Sequence, residues 1–383
     1  MTAAARIGRP TAPVSLRELR DVDPYPAYER MRAVGNVVWD AGMTAWLVLD
    51  HEVLHRALSH GWRPAPVVHY GPGLVRPLLG DRLAALAPQP TLELFQDVAW
   101  IVPISVIAGV LGLEDRDAAT LGEAKAWLEA VLAWRHTYGE DPEILAAALT
   151  ATRALEPALL DVVRARKDDP RDDTISALWA IGRQVAPDWD EQDVIDNAKF
   201  VFEGGSETTG LFLCNTVHRL LELDPAVRAA VVADRAGLAG FLEEVLRHTT
   251  VVHVRARRAT RDVMLGGVEI RAGERVLAIN AAANRDPDRW PDPARFDPTR
   301  PRLASHLAFN VGPRHCAGAH LARLEVGEAI RALFAAFPDL DGDPAAPAAE
   351  YLGFVSRAWR PLHLRHAIRA PAEARAAILA PGA

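Results

Sequence analysis

The stretch from Asp188 to Leu223 constrains this chain most, because it reads as one uninterrupted helix. Asp188 can cap its start with Glu191 three residues on, and Asp224-Pro225 ends it. At about 1.5 Å per residue it would be on the order of 50 Å long, which is long for a globular protein. Its middle reads Phe202-Glu203-Gly204-Gly205-Ser206-Glu207-Thr208-Thr209. Paired glycines inside a good helix cost about 1 kcal/mol each, so something should compensate. Glu203 and Glu207 lie one turn apart on one face. The Thr208 hydroxyl can bond the carbonyl four residues back, that of Gly204, and loosen the turn.

A second landmark is Phe309-Asn-Val-Gly312-Pro-Arg314-His-Cys316-Ala-Gly318. It places one thiol in a Gly- and Pro-rich bend that runs into a helix whose apolar positions include Val326, Ile330, Leu333 and Phe337. A cysteine just before a helix N-terminus is expected to favour the thiolate, through the helix dipole and local backbone N–H groups. Gly312 and Gly318 let the backbone approach something flat and bulky. Arg314 can pair with an anionic group on whatever binds there. For an isolated cysteine, core filler would be the better reading; Cys214, which has no such surroundings in sequence, is read that way.

The two landmarks together resemble the cytochrome P450 superfamily, soluble bacterial type. Phe-x-x-Gly-x-x-x-Cys-x-Gly is similar to its haem-ligand loop, and Gly204-Gly205-x-Glu207-Thr208 to its acid–alcohol signature. The resemblance implies a mainly α fold with small β-sheets and a long central helix over a haem. It makes Cys316 the axial thiolate to iron, a ligand that favours O–O cleavage. Phe309, Gly312, Arg314, Gly318, Gly204 and Gly205 would then surround the haem, while Glu207 and Thr208 handle protons and oxygen. Glu244-Val-Leu-Arg247 resembles the family's Glu-x-x-Arg pair, which joins a later meander, here Phe296–Arg300. Arg257 aligns with an arginine that pairs with a haem propionate, and Arg76 is the best match for a second one. The position four residues before Arg76 is Pro72, so His69 is a possible substitute. Asn310 stands where the family commonly has Gly.

The pocket has its own pattern. Glu203 occupies a position that is usually apolar or small, and Val252, His253 and Phe354 map onto substrate-contacting positions. Glu203 and His253 would recognise a polar or basic group on a small organic substrate; alternatively Glu203 meets a neighbouring arginine or solvent. The region between Trp62 and Leu94 is short for the family, with one helix at about 73–86.

Length and composition are compatible with this. The chain has 383 residues, half of them hydrophobic, and two cysteines, too few for a disulfide framework. No linker separates independent apolar patterns, so residues 23–365 read as one haem-binding domain, with a mobile arm at 1–22 and a tail at 366–383. There is no signal-like start or membrane-length apolar run, and a net charge of −7 without a basic block argues against nucleic acid. The expectation is a cytoplasmic protein. The resemblance implies a haem b monooxygenase, hydroxylating its substrate with O2, electrons coming from NAD(P)H through a separate ferredoxin or flavodoxin and its reductase. The alternative is a P450-like partner that has lost this chemistry and stabilises another enzyme, such as a glycosyltransferase.

Overall fold

The computed structural model describes residues 9–20, 22–58, 72–113, 118–137 and 141–380. In chain order the helices are α1 (Tyr25–Val34), α2 (His51–Leu58), α3 (Pro72–Leu86), α4 (Ile101–Leu111), α5 (Ala118–His136), α6 (Pro142–Asp168) and α7 (Thr174–Val185). After them come α8 (Glu191–Leu221), α9 (Pro225–Ala233), α10 (Arg235–His248), α11 (Asn280–Ala283), α12 (Ala319–Ala336) and α13 (Pro371–Leu379). The strands are β1 (Val37–Asp40), β2 (Ala45–Val48), β3 (Thr91–Glu93), β4 (Val254–Arg258), β5 (Val263–Leu265) and β6 (Val268–Ile270). They continue with β7 (Arg275–Ile279), β8 (Asp341–Gly342), β9 (Glu350–Gly353), β10 (Arg357–Arg360) and β11 (His363–Arg365).

These elements form two compact units, interleaved in sequence. One takes the chain up to residue 69, Cys214–Arg323 and Pro344–Leu362; the other takes 70–213, Leu324–Asp343 and the chain from His363. The first is built on a sheet of order β1-β2-β7-β4, in which the β1–β2 hairpin sets Trp39 opposite Trp46. β2 runs parallel to β7, and β4 lies antiparallel on its far side. The second unit packs α3 to α7 and most of α8 with the short sheet β3-β11-β8.

Helix α8 starts at Glu191, not Asp188. Asp190 is the cap: its carboxylate accepts from the Gln192 and Asp193 N–H groups, and Asp193 accepts from the Asp190 N–H in return. The helix is continuous through Gly204 and Gly205. A Cβ on Gly205 would fall 2.3 Å from the Ile107 side chain, so glycine here lets α4 and α8 approach closely.

Both expected chain ends are corrected. The N-terminal arm is packed from residue 9 onward: Leu16 and Leu19 are buried, Thr11 bridges Trp39, and Arg9 pairs with Glu274 at 2.9 Å while lying over the Trp39 ring. Apolar residues at 16 and 19 give that segment a face to bury. The C-terminal tail forms α13, which packs on α3 with Ala374 and Ile378 buried.

The Glu-x-x-Arg pair sits at the centre of the first unit. Glu244 and Arg247 are fully buried and form a bidentate ion pair, both contacts 2.7 Å. Glu244 also accepts from the Asp297 N–H, and Arg247 donates to the carbonyls of Asn284, Pro293 and Arg295. Glu244→Ala strands a buried guanidinium, and should cost about 3–5 kcal/mol in denaturant unfolding.

Histidines that burial holds neutral, the half-buried His218 and the buried His248 among them, weaken this unit in acid. Burial lowers His218, stacked on Trp359, to about 4; burial, then Arg285 and Arg219, lower His248 to about 2. Both are neutral when folded, so the unfolded chain binds more protons below about pH 6.5. Their contribution is complete above that pH and is lost as pH falls, for His218 down to about 4. His218→Phe keeps the stack, and its melting temperature should fall less between pH 7 and 4.5 than that of the parent protein.

Candidate haem site

In the first unit, the loop that carries Arg314 and Cys316 lies beside Arg255 and Arg257 of β4. The bend is made by Asn310 and Gly312 in left-handed conformations, φ +64° and +65°. Asparagine tolerates that region better than most residues, so Asn310 takes the backbone shape a glycine would, and its amide donates to the Arg314 carbonyl at 3.0 Å. The Cys316 N–H closes the loop on the Phe309 carbonyl at 2.8 Å, and α12 begins three residues later.

Alternation along β4 sets Arg255 and Arg257 on one face, half-buried, with Ala256 and Arg258 exposed on the other. Arg255 reaches the Ala308 carbonyl at 3.4 Å and acts on the Cys316 sulfur. Arg257 lies near Arg314; burial and then that like charge push its guanidinium below the usual arginine range. Among the described residues neither Arg257 nor Arg314 has a carboxylate partner.

The loop is braced from α12. Arg323 lies 4.5 Å above the Phe309 ring and bonds Glu243 at 2.5 and 3.0 Å; His306 approaches the same carboxylate at 3.3 Å. Burial alone would raise Glu243, but His306 and Arg323 outweigh it and hold it down at about 2. The shift of the sulfur runs opposite to the one expected from the sequence: burial pushes the Cys316 thiol up, outweighing the Gly318 N–H and the charges of Arg255 and Arg323.

The second unit holds the other cluster. Thr208 Oγ1 donates to the Gly204 carbonyl at 2.8 Å. Glu207 is buried and Glu203 nearly so, and Arg135 of α5 donates to both, at 3.1 Å to Glu207.

The sequence profile of cytochrome P450 matches residues 201–339. The chain is 30% identical over 365 residues to the cytochrome P450 monooxygenase PikC of Streptomyces venezuelae, covering 83% of this chain and 85% of PikC. The chain belongs to the cytochrome P450 family. It is also 32% identical over 276 residues to the cyclomarin C epoxidase CymV of Salinispora arenicola, covering 70% of this chain and 68% of CymV. In fold it is similar to CYP109E1 from Bacillus megaterium in complex with testosterone, at a TM-score of 0.76 and 22% identity, over 90% of this chain and 99% of that one.

A cytochrome P450 is a monooxygenase that uses haem b and O2, with NAD(P)H electrons arriving through redox partners. The first-unit cluster fits that group. It offers a half-buried soft donor in Cys316, and two cations, Arg257 and Arg314, that have no carboxylate partner among the described residues and suit the two carboxylates of a porphyrin.

Other expected site residues have different surroundings. Arg76 is ion-paired with Glu328 of α12 at 2.6 Å, not held open for a propionate. His69 lies outside the described residues. His253 is fully buried, its ring between the hydroxyls of Tyr28 (3.3 Å) and Tyr351 (2.8 Å), so it is a core residue closed off from substrate. Glu203 meets the neighbouring arginine that was its alternative. Val252 and Phe354 do come near one another, because residues 251–253 pair with 355–357.

The sequence reading missed Arg255, Arg323 and Arg135. The two-residue spacing from Arg257 in a strand could have found Arg255; no local signal marks Arg135, 68 residues from Glu203. Replacing Arg257 and Arg314 together by Leu should leave the fold intact but weaken haem retention by about tenfold or more, measured as transfer to apomyoglobin.

Proposed function

We propose that this cytochrome P450 hydroxylates a small organic substrate, taking electrons one at a time from a ferredoxin or flavodoxin and its reductase. The balance is R–H + O2 + 2 e⁻ + 2 H⁺ → R–OH + H2O. The observation that carries this is the Phe309–Gly318 loop, with its half-buried thiol beside two arginines that have no carboxylate partner among the described residues. Haem supplies the oxygen chemistry when bound, and Cys316 is assigned as its ligand. Arg257 and Arg314 hold its carboxylates.

The remaining roles belong to the chain. Thr208, hydrogen-bonded to the Gly204 carbonyl, presents its hydroxyl on α8, and Glu207 supplies protons from one turn of the same helix. Val252 and Phe354 form apolar wall for the substrate. Epoxidation is open to the same chemistry, as the name of CymV records for that protein. The partner-protein alternative gains no support, since a scaffold needs neither the thiol nor the unneutralised arginines.

The test is the absorption spectrum of purified, reduced protein under carbon monoxide. A strongly red-shifted Soret band is expected, and Cys316→Ser should lose that band while keeping the helical circular dichroism. Folded protein that binds no haem would overturn the reading.

A further inference from the structure

Helix α8 carries two carboxylates on one face where the proton-handling role needs one. Glu203 and Glu207 are four residues apart, and a single guanidinium from α5 serves both. Arg135 Nη1 donates to Glu203 Oε1, and Nη2 donates to Glu207 Oε2 at 3.1 Å. Their side chains retain 16% and 5% exposure, so solvent screens Glu203 more than Glu207. Lys199, one turn before Glu203, bonds Glu156 of α6 at 2.8 Å and Asp196 at 2.9 Å. The α4 residue that packs on the intervening Gly205 is the apolar Ile107.

We propose that Glu203 is a positioning residue for Glu207, acting through Arg135. This rests on the reading of Glu207 as the proton donor. An arginine facing one carboxylate prefers to grip it with two parallel N–H groups, which fixes the carboxylate as an anion. Glu203 prevents that by occupying one arm of the fork. Glu207 thus shares the guanidinium with Glu203, taking the Nη2 N–H, and is held loosely enough to gain and release a proton. Without Arg135 the reverse holds, because two carboxylates one turn apart resist being charged together, and one takes up a proton more readily. Glu203 and Arg135 thus push the proton affinity of Glu207 in opposite directions.

The two variants Glu203→Gln and Arg135→Gln should therefore move Glu207 in opposite senses. The first readout is the infrared carbonyl band of protonated carboxyl groups, followed against pH in resting, haem-loaded protein carrying ¹³C-glutamate. The band lost in Glu207→Gln identifies the residue. It should appear at lower pH in Glu203→Gln and at higher pH in Arg135→Gln, each by about one pH unit, and Glu203→Asp should restore the parent behaviour. The second readout is NADPH-driven O2 consumption through a surrogate ferredoxin and its reductase, in H2O and D2O. Glu203→Gln should be several-fold slower with a larger solvent isotope effect. Shifts in the same direction for both variants, or none, would overturn the proposal. If Glu207→Gln itself changes neither the rate nor the isotope effect, the proton-donor reading fails first, and this inference with it.

Discussion

The buried pair of Glu244 and Arg247 is what the irregular half of the first unit depends on. Residues 284–300 form no strand and almost no helix, so their backbone carbonyls have no ladder to enter. Arg247 takes three of them, at Asn284, Pro293 and Arg295, while Glu244 takes the Asp297 N–H. Arg300 adds bonds to the Asp292 and Arg295 carbonyls and approaches Glu244 at 3.3 Å. A charge pair with no exposure is a poor source of net stability, since desolvation offsets most of its attraction. Its value lies in direction: it gives a coil one shape.

That shape is handed on to the cysteine loop through a further set of buried polar groups. Asn284 accepts from the Leu307 N–H at 2.6 Å and Asn280 donates to the Leu307 carbonyl at 2.7 Å, so both backbone groups of one residue are held by side chains. From there the chain has only to turn through Asn310 and Gly312 to present Cys316. Arg323, Glu243 and His306 brace the turn from its other side. The loop is thus tied down by bonds within the chain itself, with the Cys316 thiol raised by burial and Arg257 lying near Arg314.

Much of this was legible in the sequence because it is local. The helix at 72–86, the hydroxyl of Thr208 on the carbonyl of Gly204 and the junction of Glu244 with the 296–300 meander all follow from spacing and residue type over short spans or from a recognisable motif. The errors arose where contacts span the chain. Leu16 and Leu19 look like a free arm until Arg357 is found donating to the Leu19 carbonyl. His253 looks like a pocket residue until Tyr28 and Tyr351 close on its ring.

The sequence by itself determined the family, the loop that carries Cys316 and the long helix that carries Glu207 and Thr208. These are carried by residues within a turn or a loop of one another, where backbone geometry leaves few choices. Only the tertiary structure decided who neutralises whom. Arg135 reaches Glu203 and Glu207 across 68 and 72 residues, Arg76 finds Glu328 across 252, and Arg257 is left facing Arg314. A charge acts through space and ignores chain order, so its partner appears only when the chain has folded.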